Sequence, residues 1–180
     1  MKTLYLSDLD GTLLTPQACL SAFTAETVRR LLREGMAFSY ATARSFSTAK
    51  KVTAALGDAR LPVIVYNGEA IVDAGDGTVL DAVYFTPEEA AFVRGVLEAA
   101  RLRPMVYSRP AARVQAEHVA YLAQNCTRGL AYYLETRRGD ERLHAVEPEK
   151  LYDGRVFYFT VIEALQRSSA ARPVQRFLLF

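Results

Sequence analysis

The sequence predicts an α/β protein whose first half is built on a parallel sheet, and two observations support this prediction. Apolar runs of strand length alternate with longer segments whose apolar residues recur every three to four positions, as they do in helices. Each of the first three runs also ends in polar residues, as buried strands do where a parallel sheet binds its ligands. Strand, helix, strand, helix, strand with right-handed crossovers is the expected arrangement.

The first predicted strand, residues 4–7, is apolar and ends in Asp8, Asp10 and Gly11. Two carboxylates at i and i+2 are unfavourable unless a cation lies between them, and Mg²⁺ with oxygen ligands is the simplest candidate. An aspartate can also attack phosphorus and form an aspartyl-phosphate, which divides one difficult displacement into two easier ones. An acidic turn without a chemical role is the alternative interpretation.

Two further strands are predicted over residues 36–42 and 61–66, and both run into polar residues. Thr42 and Arg44 follow the first of them, and Asn67 and Gly68 follow the second. Because the carboxyl ends of parallel strands meet at one edge of a sheet, we expect these residues to lie beside the acidic turn. Taken singly, a helix cap, a surface arginine and an Asn-Gly hairpin turn are the alternatives.

The segment Asp8-Leu9-Asp10-Gly11-Thr12-Leu13-Leu14 resembles DxDGTLL, the first motif of the haloacid-dehalogenase (HAD) superfamily of phosphohydrolases. The resemblance implies that Asp8 is the nucleophile and a magnesium ligand. It also implies that Asp10 is the general acid and base, and that its backbone carbonyl holds the metal. The fold that it implies is the parallel, Rossmann-like HAD core.

Two later segments resemble the subgroup of that superfamily called Cof-type. Thr42-Ala43-Arg44 stands where the subgroup usually has Thr-Gly-Arg, and Asn67-Gly68-Glu69-Ala70 resembles its Asn-Gly-Ala. The resemblance implies that Thr42 hydrogen-bonds the transferring phosphoryl group. It further implies that Arg44 and Asn67, with Gly68 beside it, face the substrate phosphate or its leaving group.

The second half of the chain is predicted to be an α/β cap domain, residues 83–180, inserted between the halves of a core that begins with residues 1–82. A hairpin is expected over residues 71–80, and Val83-Tyr84-Phe85 resembles a hinge strand. A helix capped by Thr86 should follow, then strands over 104–108, 143–146 and 155–162. The region 117–137 is expected to be mostly helical, and a further helix is expected to begin near Glu163.

Composition excludes several classes of protein. Hydrophobic residues make up 51% of the 180 residues and charged residues 23%, with a net charge of +2, so nucleic acid and membrane are not expected as partners. Cys19 and Cys126 are expected to be small buried hydrophobes in a reducing compartment, and a cytoplasmic location is expected. His118 and His144 are expected to have packing or solvent roles.

Two parts of the superfamily pattern are missing from the sequence: a lysine after the cap, and an acidic pair that completes the magnesium site. Lys50 and Lys51 come too early, and Lys150 precedes the last predicted cap strand. We therefore expect a shortened relative, natural or artificial, that binds magnesium weakly. The edge of its first strand, residues 4–7, should be exposed and open to self-association.

The leading functional hypothesis is a magnesium-dependent phosphatase that acts on a small phosphorylated metabolite through an aspartyl-phosphate, with activity impaired by the missing motifs. The alternative is a catalytically inactive remnant that serves as a binding or assembly module. A phosphomutase is the least favoured, because mutases on this scaffold usually carry a different cap.

Overall fold

The structure is a computed structural model that describes residues 3–57, 61–110, 115–124, 126–164 and 175–179. The chain forms two compact units, Met1–Val83 and Tyr84–Phe180. Each unit contains a five-stranded sheet. No helix in the described ranges is both long and apolar enough to cross a lipid bilayer.

The first unit has the parallel strands and the hairpin that the sequence predicts. Its strands are β1 (Leu4–Asp8), β2 (Ala37–Ala41), β3 (Val63–Val65), β4 (Ala70–Val72) and β5 (Val79–Ala82), and they lie in this order across the sheet. The first three are parallel, whereas β4 and β5 pair antiparallel. Helices α1 (Ala22–Arg33) and α2 (Phe46–Thr53) connect the parallel strands.

Helix α1 begins where a side chain satisfies its free backbone amides. The Ser21 hydroxyl accepts a hydrogen bond from the Thr24 amide at 3.0 Å, as an N-cap residue does. The inner face of the helix then packs Val28 against Phe38 of β2 and Leu56, which follows α2. This packing covers β2 and leaves its carboxyl end free for polar residues.

Strand β1 lies at the edge of the described sheet, and its apolar side chains are not covered. Leu4, Tyr5 and Leu6 are 58%, 55% and 53% exposed. Unpaired backbone groups beside exposed apolar side chains are a template for pairing with another strand.

The second unit is also a helix-and-sheet structure. Its elements are α3 (Pro87–Ala99), β6 (Pro104–Arg109), β7 (His118–Leu122), α4 (Arg128–Glu135), β8 (Leu143–Val146), β9 (Arg155–Ala164) and β10 (Gln175–Leu179). The sheet order is β10-β9-β6-β7-β8, antiparallel except for the parallel pair β7–β8. Thr86 and Glu89 form the capping box that starts α3, and Leu97 packs this helix on Val106 and Phe159.

Two secondary-structure predictions for the second half of the chain are wrong. Residues 118–122 form strand β7 rather than a helix, because ladder pairing with β6 and β8 outweighs local helix propensity. Val83–Phe85 is not a strand, although the Phe85 amide donates to the Val156 carbonyl at 2.9 Å. Glu163 and Ala164 end β9, which pairs with β10, and the rest of the helix expected near Glu163 falls on residues 165–174, outside the described residues.

The prediction that both cysteines are buried is wrong as well. Cys19 and Cys126 are exposed free thiols. Both lie in segments between regular elements, where few apolar neighbours are available to cover a small side chain. His118 and His144 do pack, since their rings stack with centroids 3.9 Å apart on neighbouring strands.

The second unit contains a buried ion pair. Arg109 is fully buried, its Nη2 donates to Glu117 Oε1 at 3.0 Å, and its guanidinium lies 4.2 Å from the centre of the Phe157 ring. Arg142 donates to the other Glu117 oxygen at 3.1 Å. Glu117 is therefore the carboxylate that compensates a buried arginine.

We predict that Glu117→Ala lowers the free energy of unfolding of the second unit by about 3–5 kcal/mol, because it leaves the Arg109 charge buried without a partner. The matched control is Glu98→Ala, which removes an exposed ion pair of 2.8 Å with Arg94. That change should cost less than about 1 kcal/mol. Urea unfolding of both variants measures the difference, and equal losses would contradict the prediction.

Candidate active site

The ends of the first three strands lie together because hydrogen bonds run from one to the next. Asp8 lies opposite Ala41 in the parallel ladder, so Thr42 follows beside the end of β1. The Thr42 amide donates to the Ile64 carbonyl, and the Asn67 amide donates to the Thr42 carbonyl, both at 3.0 Å. The polar residues after the three strands therefore share one edge of the sheet.

The turn after β1 positions the Asp8 carboxylate. Leu9 is fully buried and anchors the turn, and its carbonyl accepts from the Leu14 amide at 2.8 Å. Gly11 has a φ of 80°, a conformation that favours glycine. The Thr12 hydroxyl then donates to Asp8 Oδ2 at 3.1 Å, which fixes one oxygen of the carboxylate.

Asp10 and Arg44 form a two-point ion pair. Arg44 Nε donates to Asp10 Oδ2 at 2.7 Å, and Nη2 donates to Oδ1 at 2.6 Å. The hydrogen bond from Arg44 holds the pKa of the Asp10 carboxyl below its ordinary value, although partial burial opposes the effect. Arg44 is therefore not an isolated surface arginine: it links the turn after β1 to the segment after β2.

Thr42 has a local role of its own. Its side chain is buried, 4% exposed, and its hydroxyl accepts from the Arg44 amide at 3.2 Å. It does not cap α2, because the Ser45 hydroxyl does so by accepting from the Thr48 amide at 3.4 Å. Of the alternatives for this residue, the helix cap is thus excluded.

Asn67 and Gly68 lie in the connection between β3 and β4, which pair antiparallel. Their φ values of 59° and 109° are left-handed, a conformation that asparagine and glycine adopt more readily than other residues. Asn67 and Gly68 therefore do form a turn. The hydrogen bond from the Asn67 amide to the Thr42 carbonyl also places this turn at the candidate site.

The residues at this edge of the sheet offer few ligands to a metal ion. The Asp8 carboxylate and the Asp10 carbonyl are oxygen donors of the kind that Mg²⁺ prefers, whereas the Asp10 carboxylate is engaged by Arg44. Among the described residues, no three His, Cys, Asp or Glu side chains are grouped so that they could hold a metal. Because Mg²⁺ keeps several waters and often takes ligands from a substrate phosphate, these residues fit a weak, water-rich magnesium site.

The ion pair between Asp10 and Arg44 is not visible in the sequence, because the two residues are 34 positions apart and only the sheet register brings them together. Lys50, which comes too early for the lysine of the superfamily pattern, has other partners. The Lys50 ammonium donates to the Gly75 carbonyl and lies 5.4 Å from the centre of the Phe46 ring.

A scan against families of known proteins matches residues 5–152 to the haloacid dehalogenase-like hydrolases. Two curated relatives bear the name "Putative phosphatase". The one from Buchnera aphidicola is 42% identical over 69 residues, 37% of this chain and 25% of the relative. The one from Haemophilus influenzae is 35% identical over 68 residues, 38% of this chain and 25% of the relative.

Solved structures resemble the fold along nearly the whole chain. A protein from Thermotoga maritima matches 91% of this chain with a TM-score of 0.67 and 20% identity, and the match covers 57% of that protein. A haloacid dehalogenase-like hydrolase from Bacteroides thetaiotaomicron also matches 91% of this chain, with a TM-score of 0.67, 14% identity and 59% of its own length covered. The match thus spans less than two thirds of these proteins and a quarter of the curated relatives.

We predict that Arg44→Ala raises the pKa of the Asp10 carboxyl toward its ordinary value. The variant removes the hydrogen bond that stabilises the charged carboxylate, so Asp10 should then take up a proton at a higher pH. Carboxyl ¹³C NMR titration measures this pKa directly. Arg33→Ala, in the last turn of α1, is the control and should leave it unchanged. An Asp10 titration that is identical in Arg44→Ala and the native chain would contradict the prediction.

Proposed function

The chain belongs to the haloacid dehalogenase-like hydrolases, and from this premise we propose that it is a magnesium-dependent phosphatase of small phosphorylated metabolites, such as sugar phosphates. The observation that carries the proposal is the placement of Asp8, Thr42 and the Asp10–Arg44 pair at one edge of the sheet. The names of the two curated relatives support phosphatase activity. A cytoplasmic location is part of the proposal.

In the proposed reaction the Asp8 carboxylate attacks the substrate phosphorus. The bond from phosphorus to the ester oxygen breaks, and Asp10 protonates the departing alkoxide. Asp10 then takes a proton from water, whose oxygen attacks the phosphorus of the aspartyl-phosphate and releases phosphate and the Asp8 carboxylate. The Thr42 hydroxyl hydrogen-bonds a phosphoryl oxygen, and Asn67 and Gly68 face the substrate. The Asp8 carboxylate and the Asp10 carbonyl would hold a magnesium ion, which would supply positive charge to stabilise the phosphoryl oxygens.

Arg44 has two proposed roles in this scheme. While it is paired with Asp10, both oxygens of the carboxylate accept hydrogen bonds and the acid is held in its charged form. A phosphoryl group is a competing anion that an arginine binds through two donors. Binding of substrate phosphate by Arg44 would therefore release the Asp10 carboxylate, which takes up from solvent the proton that it then passes to the departing alkoxide.

The second candidate function is a catalytically inactive remnant that acts as a binding or assembly module. Two observations favour it. The described residues contain no group of three side chains that could hold a metal ion. The Lys50 ammonium donates a hydrogen bond to the Gly75 carbonyl, far along the chain from the acidic turn.

Self-association is a proposed property of either form. The exposed β1 edge, with Leu4, Tyr5 and Leu6 about half exposed, offers both backbone hydrogen bonds and apolar surface to the same strand of a second copy.

The proposed function predicts weak but specific hydrolysis. Loss of one preorganised charge contact commonly costs about 3–4 kcal/mol, a hundredfold to a thousandfold in rate, and the sequence contains neither the lysine nor the acidic pair of the superfamily pattern. We therefore expect turnover at least about a thousandfold below that of the Haemophilus influenzae relative. The assay uses p-nitrophenyl phosphate and a panel of sugar phosphates with magnesium.

Asp8→Asn is the control for that assay and should abolish the residual rate, because an amide cannot act as the nucleophile. Equal, near-zero rates for the native chain and Asp8→Asn would instead support the inactive remnant. Turnover as fast as that of the relative would contradict the predicted loss of activity. It would require that other residues supply the roles of the missing lysine and acidic pair.

For self-association we predict that the native chain forms dimers in sedimentation velocity and that Tyr5→Lys forms monomers, since a charge on the edge strand opposes pairing. Phe23→Lys is the matched control: Phe23 is 79% exposed but belongs to α1 rather than to the edge strand, so its replacement should leave the dimer intact. A monomeric native chain, or equal dissociation in both variants, would refute pairing through β1.

A further inference from the structure

The second unit contains a cleft that the proposed phosphatase chemistry does not use. It has a volume of about 520 Å³ and lies between the start of α3 and the start of β9. Phe85, Ala90 and Val156 supply apolar surface, while Arg94, Tyr152 and Arg155 supply the polar groups. Volumes of roughly 300–1,000 Å³, with apolar walls and few polar groups, are typical of small-molecule sites.

The cleft carries positive charge that the described part of the chain does not fully compensate. Arg94 and Arg155 are the charged side chains of its lining, and none of the described acidic side chains lines it. Arg94 pairs with Glu98 at 2.8 Å. Arg155, in contrast, forms no ion pair with any residue that the structure describes.

The position of Arg155 in the sheet makes this charge less favourable. Its partner across the ladder is Arg109, and like charges directly opposite each other destabilise a strand pair. Glu117 compensates Arg109 but is not among the cleft-lining residues. An anion bound in the cleft would compensate Arg155.

Arg155 is also held in a defined orientation. Its guanidinium lies 3.7 Å from the centre of the Tyr84 ring, and that ring meets Phe157 edge-on at 6.4 Å. A stacked guanidinium keeps its N–H groups in the plane parallel to the ring, where an acceptor can reach them. The turn before Arg155 packs closely on β6, because a Cβ on Gly154 would lie 3.0 Å from the Arg109 carbonyl oxygen.

We propose that this cleft binds a small organic anion, with the charged head group held by Arg155 and Arg94 and an apolar body lying against Phe85, Ala90 and Val156. The proposal rests on this geometry alone and is independent of the phosphatase activity. Neither the head group nor the apolar body alone should bind well, because each uses only half of the lining.

The test is ¹H–¹⁵N NMR of the full chain titrated with phenylphosphonate, which has both parts and cannot be hydrolysed as an ester. The amide signals of Ala90, Ala91 and Gly154 should shift with saturation. Inorganic phosphate has the charge without the apolar body, and benzyl alcohol has the ring without the charge. Each should bind at these signals at least about tenfold more weakly, a difference of about 1.4 kcal/mol.

Variants separate this cleft from other anion sites. Arg155→Gln should weaken phenylphosphonate binding about tenfold or more, and Arg155→Lys, which keeps the charge but loses the planar stack, should fall between Gln and the native chain. The matched control is Arg137→Gln, since Arg137 stacks on Tyr133 at the same 3.7 Å outside the cleft. It should leave binding unchanged.

Several results would overturn the proposal. Shifts confined to the amides around Thr42 and Asn67 would place the ligand in the first unit instead. Benzyl alcohol binding as well as phenylphosphonate would show that the charge has no role. Equal affinity in Arg155→Gln and the native chain, with dispersed spectra showing that both are folded, would exclude Arg155 as the anion-binding group.

Discussion

The candidate site depends on backbone hydrogen bonds that join the ends of neighbouring strands. The Thr42 amide donates to the Ile64 carbonyl at 3.0 Å, and the Asn67 amide donates to the Thr42 carbonyl at the same distance. The Tyr66 amide donates to the Arg44 carbonyl at 3.1 Å. These bonds continue the parallel ladder past the last strand residue, so the polar segments after β2 and β3 stay in register. Side chains on loops are positioned accurately only when the scaffold holds the loop backbone in this way.

The Asp10–Arg44 pair adds a side-chain link between the segments after β1 and β2, and it has two opposing consequences. It orders the acidic turn, because both carboxylate oxygens accept hydrogen bonds from one planar guanidinium. It also lowers the pKa of the carboxyl that the proposed reaction uses as an acid. An interaction helps a reaction only if it is stronger in the transition state than before. In the proposed reaction the Asp10–Arg44 contact must therefore be replaced by a contact between Arg44 and the substrate phosphate before Asp10 acts.

How far the sequence predicts the structure depends on the range of the interactions involved. The parallel strands, the Thr86 cap and the hairpin follow from local patterns, and the structure has them all. Strand β7 does not follow, because the extended conformation of His118–Leu122 depends on pairing with β6 and β8, which lie outside the segment itself. The Asp10–Arg44 pair likewise depends on register across the sheet, which no local pattern encodes. Family resemblance supplied the roles of Asp8 and Asp10, whereas spacing alone predicted only that polar residues would meet at one edge.

In the proposed reaction Asp8 accepts the phosphoryl group and Asp10 is needed to remove it. The most direct measurement is mass spectrometry of the Asp10→Asn variant, quenched in acid after incubation with magnesium and p-nitrophenyl phosphate, whose good leaving group departs without an acid. Because this variant cannot activate water, a phosphoryl group should accumulate on Asp8 and should be absent from the Asp8→Asn/Asp10→Asn double variant. Phosphorylation of another residue, or no phosphorylated peptide in Asp10→Asn, would contradict the account.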